Sequence, residues 1–290
     1  GMLVAGNEIV RYAGIAVAPL ENGGDMKTNG WELQIDYNHS FNKDFAIYGT
    51  FTLSDAKSEI TKWNNTTGAL NSWYKGKKLG EIWGFETDRR VGDIKYKDLN
   101  KDGKIDTGKG TIDDHGDLKR IGNQLPRYEY SLRVGAMLKG FDVEVLLQGV
   151  GKRDMWSTSS LFIPHAAGAQ MNIFENQLDY WTESNQNARF PRPYINGAFG
   201  SLSGLPGNSG CNNFAPQTKY LNNLAYLRVK NFTVGYTLPQ NLTRKIFVEK
   251  LRFYFSAQNL FTFDHIDGVM DPECTGGSSK EYTNGMDMTM

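Results

Sequence analysis

Hydrophobic and polar residues alternate over several stretches of the chain, and two of these flank a short polar turn. Trp31, Leu33 and Ile35 occupy every second position between polar neighbours, and the alternation resumes after residues 41–44 over residues 45–53. A period of two residues predicts a β-strand with one apolar and one polar face. Two such strands around a short turn predict a β-hairpin.

The clearest alternation covers residues 127–148 and is interrupted at Lys139 and Gly140. It predicts a second hairpin whose turn is this dipeptide. Within residues 226–238 the apolar phase shifts near Asn231, which predicts a β-bulge. Further strands are predicted for residues 79–87 and 250–263.

Two long segments between these strands, residues 54–78 and 151–221, are predicted to be irregular. Helical turns are predicted within residues 172–180 and 242–246. The fold class is therefore all-β, with antiparallel up-and-down strands, short turns at one end and long loops at the other. Outer-membrane β-barrels have this asymmetry, whereas soluble sandwiches space their strands more evenly.

The composition narrows the possible partners. The chain has 290 residues, with 32 basic and 32 acidic side chains and a formal net charge of zero. Because it carries no basic tract, we expect no nucleic-acid partner. No apolar run is long enough for a transmembrane helix, but transmembrane β-strands escape such a search. Gly1 before Met2 resembles an expression remnant, so we expect the chain to be a piece of a larger protein.

The sequence shows no catalytic apparatus, and we predict that the chain is not an enzyme. No serine or cysteine stands in a local nucleophile signature. The two cysteines lie 63 residues apart, so a disulfide and two unpaired thiols both stay open, and neither has a zinc-ligand spacing. The residues concerned are Cys211 and Cys274, with the scattered His39, His115, His165 and His265.

Oxygen-bearing side chains recur at alternate positions around Gly103. This spacing lets short side chains converge on one hard cation, and glycine permits the tight turn. The pattern predicts a calcium (Ca2+) site, with an Asx-turn-rich surface loop as the alternative. The predicted ligands are the side chains of Asp98, Asn100, Asp102 and Asp106 and the backbone carbonyl of Lys104.

Aromatic residues are frequent in the predicted long loops, where two interpretations stay open. Exposed rings would stack on sugars, whereas buried rings would pack the loops or form an interfacial belt, which we favour. Arg189 and Arg192 are expected to brace a loop. The aromatic residues are Trp63, Trp73, Tyr74, Trp156, Tyr180, Trp181 and Tyr194.

Seven phrases, in this order, make the chain resemble the C-terminal part of the SusC-like TonB-dependent outer-membrane transporters of Bacteroidetes, the RagA/SusC family. Together they extend from about residue 30 to residue 273. The phrases are NGWEL (29–33), LGEIWGF (79–85), GDIKYKDLN (92–100), IGNQLPRY (121–128), YWT with NARFPR (180–182 and 187–192), LRVKNFTVGY (227–236) and SAQNLFT (256–262).

The resemblance implies a barrel of roughly 22 strands around a plug, of which residues 1–290 would supply a partial segment without the plug. Family members import oligosaccharides or peptides with a SusD-like lipoprotein and TonB. We therefore predict an outer-membrane nutrient-uptake component that is inactive as this fragment. The alternative is a soluble secreted β-domain that binds calcium and carbohydrate.

The resemblance also bears on residues 92–122, the calcium-type loop. The twelfth position, which usually supplies a bidentate carboxylate, is Lys109 and cannot bind a cation. In the family an acidic residue usually precedes the IGN phrase, and Asp117 lies there. Residues 109–114 then form an insertion, and Asp113, Asp114 or Asp117 would close the site.

The direction of the apolar faces separates the two functional predictions. A membrane barrel exposes its apolar belt to lipid, whereas a soluble sandwich buries the same residues against a second sheet. The predicted belt consists of Leu33, Ile35, Tyr130, Leu132, Val143, Val145, Val234 and Phe253.

Overall fold

A computed structural model describes most of the chain. It covers residues 2–5, 20–91, 93–157, 159, 161–164, 173–192, 213–266 and 270–273. Cys211 and Cys274 lie outside the described residues, and so do His165 and Tyr194.

The described chain is almost entirely antiparallel β-structure. The largest sheet has seven strands in the order β1-β2-β3-β8-β9-β12-β13, and β1 and β13 are its open edges. The strands of this sheet are β1 (Met2–Ala5), β2 (Leu20–Asn42), β3 (Phe45–Lys62), β8 (Arg127–Leu138), β9 (Phe141–Lys152), β12 (Tyr226–Thr237) and β13 (Arg252–Phe263).

Shorter strands belong to the long connections of this sheet. Three two-stranded sheets pair β4 with β7, β5 with β6 and β10 with β11. Their bounds are β4 (Glu81–Phe85), β5 (Thr87–Val91), β6 (Asp93–Tyr96), β7 (Leu118–Asn123), β10 (Asp154–Met155) and β11 (Asn222–Asn223). Helical turns occur at Glu175–Gln177, at α1 (Gln240–Thr243) and at Arg244–Ile246. No helix of the described residues is long and apolar enough to cross a membrane.

The predicted hairpins and the bulge are confirmed. β2 pairs with β3, and β8 pairs with β9 around the Lys139 and Gly140 turn. The register of β12 shifts between Val229 and Asn231 against both of its neighbours, as expected of a β-bulge. The prediction that residues 54–62 are irregular is wrong, because β3 continues to Lys62. Backbone pairing with β2 sustains the strand there without an apolar face.

The seven-stranded sheet has one apolar and one polar face. Residues paired directly across antiparallel strands lie on the same face. Leu33 pairs with Leu53, which pairs with Tyr130, and Val143 pairs with Val234. All eight residues of the predicted belt lie on this one face, because the register also links Ile35 through Phe51 to Leu132, Val145 to Val134, and Phe253 to Tyr236.

The apolar face is open rather than covered by a second sheet. Ile35 is 55% exposed and Phe253 is 62% exposed. Within the described residues, the buried apolar clusters lie instead among the long connections. One contains Phe85 and Phe190, and another contains Leu224. This arrangement matches the membrane-facing belt and does not match the soluble sandwich.

Candidate functional site

The oxygen ligands predicted for the calcium loop are fixed by backbone amides of the same loop. The carboxylate of Asp98 accepts hydrogen bonds from the N–H groups of Lys101 (2.6 Å) and Gly103 (2.8 Å). Asn100 and Asp102 each accept from the N–H group two residues further on, at 3.0 and 2.8 Å. Gly103 has a φ of 82°, so the turn favours glycine as predicted.

Asp117 joins this loop from across the insertion. Its side chain is fully buried, and its oxygens accept from the N–H groups of Leu99 (2.6 Å), Asn100 (3.4 Å) and Asp106 (3.0 Å). A buried carboxylate is costly unless such donors surround it. Of the three residues predicted to close the loop, Asp117 is therefore the one that contacts its backbone.

The insertion itself is docked onto a neighbouring loop. The N–H groups of Leu70 and Ile112 donate to the carbonyls of Gly110 and Gly68, both at 2.9 Å. A Cβ atom on Gly116, where φ is 54°, would lie 2.5 Å from the carbonyl oxygen of Asp106. The excursion therefore requires glycine where its two ends meet.

The oxygen-bearing side chains of the loop accept hydrogen bonds from backbone N–H groups rather than converging on a common centre. Among the described residues, no three His, Cys, Asp or Glu side chains stand together in a metal-holding arrangement. The hydrogen bonds of Asp98, Asn100, Asp102 and Asp106 are those of Asx turns. Their remaining lone pairs would supply oxygen ligands for a hard cation only after the side chains converged. Calcium binding stays a prediction, and so does the carbonyl of Lys104 as a ligand.

The polar face of the sheet carries cross-strand ion pairs and hydrogen bonds. Arg133 Nη2 lies 2.8 Å from Glu144 Oε2, which also accepts from the Tyr48 hydroxyl at 2.8 Å. Arg252 Nη2 lies 2.5 Å from Asp142 Oδ2. The charged residues belong to β8, β9 and β13, and Tyr48 extends their hydrogen bonds to β3.

The most buried charge of the polar face is the guanidinium of Arg228, which is 4% exposed. It lies 2.6 Å from Asp271 Oδ1 and 2.9 Å from Glu273 Oε2, and it donates to Thr262 Oγ1 at 2.8 Å. Lys230 Nζ lies 2.7 Å from the same Glu273 oxygen. The segment after β13 is thus fastened onto β12.

The pKa of Asp271 reflects this contact. Burial alone would raise the pKa of Asp271. The hydrogen bonds from Arg228 and from the N–H of Glu273 lower this pKa by more than burial raises it, so the net shift is downward. In the sequence, Arg228 lies between the apolar Leu227 and Val229. Its acidic partners Asp271 and Glu273 are 43 and 45 residues further along the chain, and no local signal reveals the pairing.

Most of the loop aromatics that the structure describes pack within the loops, whereas Tyr180 is 39% exposed. The ring centres of Trp63 and Trp73 lie 6.2 Å apart. The hydroxyl group of the buried Tyr74 donates a hydrogen bond to the carboxylate of Glu81. Burial and this carboxylate raise the pKa of Tyr74 to about 12. These contacts fit the loop-packing interpretation.

Two further loop residues predicted from the sequence are in contact. The guanidinium of Arg192 lies 5.1 Å from the centre of the Trp181 ring. A cation–π contact of this kind holds a loop together. Arg192 therefore braces its loop as predicted.

No family model matches the chain. Over 90% of its length it is 23% identical to a protein described as TonB-dependent receptor P3 from Formosa agariphila, of which it covers 26%.

Among solved structures, the chain is similar to one called the RagAB peptide transporter, with a TM-score of 0.65 and 23% identity over 95% of this chain and 30% of that one. It is also similar to the RagAB peptide importer in the "closed-closed" state, with a TM-score of 0.65 and 21% identity over 98% of this chain and 31% of that one. For the "open-open" state the TM-score is 0.64.

The chain spans about a quarter of the curated relative and under a third of these solved chains. The matches confirm the predicted resemblance to a segment of a SusC-like TonB-dependent transporter. They also confirm the antiparallel β-fold and the outer-membrane location.

Proposed function

We propose that the chain is a barrel segment of a TonB-dependent transporter that takes up oligosaccharides or peptides, working with a SusD-like lipoprotein and TonB. The observation that carries this proposal is the seven-stranded sheet with an exposed apolar face and an ion-paired polar face. Lipid would cover the first face, and the second would line an aqueous interior. The relatives are a receptor and transporters, which favours a role without catalysis.

The proposed function predicts a nutrient-dependent growth defect. In the organism that encodes this chain, deletion of the gene is expected to abolish growth on either an oligosaccharide or a peptide mixture as sole carbon source. Such ligands are too large for passive entry and require active import. Growth on the corresponding monosaccharides or amino acids is the control and should not change. Undiminished growth on both mixtures would show that the proposal is wrong, and the affected mixture identifies the substrate class.

We further propose that residues 98–117 bind one structural calcium ion that stabilises an external loop. The proposal is supported by the spacing of Asp98, Asn100, Asp102 and Asp106 and by the buried carboxylate of Asp117, which would take the place of the missing twelfth ligand. Calcium would be held by side-chain oxygens and the Lys104 carbonyl.

This proposal predicts the outcome of a calcium titration followed by calorimetry. Asp98→Ala and Asp117→Ala are each expected to weaken calcium affinity by about tenfold or more, because each removes a charged ligand. Asp44→Ala is the matched control, since it removes the same charge at an exposed position of the β2–β3 turn, outside residues 92–122. The calcium proposal is wrong if all three variants bind calcium with equal affinity, or if the parent chain binds no calcium. The Asx-turn surface loop would then be the correct interpretation.

A further inference from the structure

A polar cavity of about 250 Å³ lies where the main sheet meets the β4–β7 hairpin. The ends of β8 and β9 form one wall, where Arg127 pairs in register with Lys152. The cavity therefore lies at the end of the sheet that carries the long connections.

The side chains that line the cavity are predominantly basic. Four cationic residues contribute to it, and two carboxylates do. The cations are Lys78, Arg120, Arg127 and Lys152, and the carboxylates are Glu81 and Asp154.

Both carboxylates already have donors from the protein. Glu81 Oε1 accepts from Trp83 Nε1 at 2.8 Å, and its other oxygen accepts from the Lys78 backbone N–H at 3.1 Å. Asp154 Oδ2 accepts from the Asn123 backbone N–H at 3.0 Å. These bonds fix the carboxylates in the cavity wall and leave them little freedom to turn toward the neighbouring cations.

The cations differ in how far they are neutralised. Arg127 is held by Asp55, with Nη2 2.6 Å from Oδ2. Arg120 is only loosely paired, at 3.8 Å from Glu81. Within the described part of the chain, the ammonium groups of Lys78 and Lys152 have no ion pair or hydrogen bond, and both residues are exposed.

We infer that this cavity binds an anionic group, a carboxylate, of the transported ligand; the inference rests on the proposed function. Three weakly paired cations around one concave polar site create a positive potential that attracts such a group. The volume is below the roughly 300–1,000 Å³ of pockets that hold a whole ligand, so it accommodates one acidic residue of a longer chain. The carboxylate belongs to an acidic oligosaccharide or to an acidic peptide.

The test is a binding measurement on the protein purified in detergent from outer membranes. The probes are trigalacturonate and triglutamate, with the neutral galactose trimer and triglutamine as their analogues. The protein is expected to bind one acidic trimer more tightly than its neutral analogue. Lys78→Gln with Lys152→Gln should weaken that binding by about tenfold, because two charge-assisted contacts are lost.

A second double variant, Lys57→Gln with Lys75→Gln, changes the net charge equally outside the cavity and should leave the affinity unchanged. Unchanged melting temperatures in both variants exclude a folding defect. The acidic trimer that binds more tightly than its neutral analogue identifies whether the carboxylate belongs to an oligosaccharide or to a peptide. The inference is overturned if neither acidic trimer is preferred, or if both double variants act alike. Because the growth defect of the gene deletion does not depend on ligand charge, it distinguishes this failure from a failure of the proposed function.

Discussion

Replacing Arg228 with methionine is expected to lower the free energy of unfolding by about 3 kcal/mol, the lower end of the range for breaking a buried ion pair. The guanidinium is 4% exposed and lies between Asp271 and Glu273, whose side chains are 38% and 25% exposed. Methionine keeps much of the volume, but the two carboxylates then have Lys230 as their remaining cation. The partial exposure of the carboxylates is the reason for choosing the lower end.

The measurement is urea unfolding of the detergent-solubilised protein, with limited proteolysis of the segment after β13. Arg133→Met is the matched control, because Arg133 is 56% exposed, against 4% for Arg228, and its ion pair with Glu144 should contribute less than about 1 kcal/mol. Proteolysis after residue 266 should accelerate in the Arg228 variant alone. If the two variants unfold at the same urea concentration, Arg228 does not fasten this segment.

An arginine on the apolar face is expected to prevent or strongly impair assembly into the membrane. Val234 is the ninth of the twelve residues of β12 and lies on the apolar face, where it pairs with Val143 and Phe255. A cationic side chain that faces lipid in an outer-membrane barrel costs up to about 2–4 kcal/mol at the bilayer midplane and less toward the interfaces. Val234→Arg should therefore reduce the assembled fraction and the stability of what assembles.

The neighbouring position supplies the control. Thr233 lies on the polar face and pairs in register with Glu144, so Thr233→Arg places the same cation beside a carboxylate. Assembly is measured by the heat-dependent gel mobility of the folded protein and by its recovery in the outer membrane. We expect the Thr233 variant to assemble at close to the parental level. Equal defects, or the larger defect at Thr233, would show that the apolar face is not turned toward lipid.

Local alternation was sufficient to locate the six longer strands of the main sheet and the two hairpins, because side-chain direction in a strand depends only on parity. For the same reason, the shift in the apolar alternation near Asn231 was sufficient to predict the β-bulge. The short strands β1, β5, β6, β7, β10 and β11 were not predicted. The boundaries of β3 were not predictable in this way. Residues 54–62 have no apolar face, and their backbone pairing with β2 is what keeps them extended.

For the calcium-type loop, the sequence predicted a tight turn at Gly103, which has a φ of 82°. It left Asp113, Asp114 and Asp117 as candidates to close a calcium site, and that closure stays a prediction. The hydrogen bonds of Asp117 to the loop backbone and the docking of the insertion onto residues 68–70 are visible only in the structure. That docking joins segments about forty residues apart, and residue spacing does not encode it.

The sequence by itself determined the fold class, the two faces of the sheet and the family resemblance, because these follow from short-range periodicity and short phrases. Only the tertiary structure decided which charges meet. Arg228 forms ion pairs with Asp271 and Glu273, which follow β13. The cavity beside β7, β8 and β9 is lined by cationic side chains from separate segments of the chain. Coulomb attraction depends on distance in space, and the packing of the long connections sets that distance.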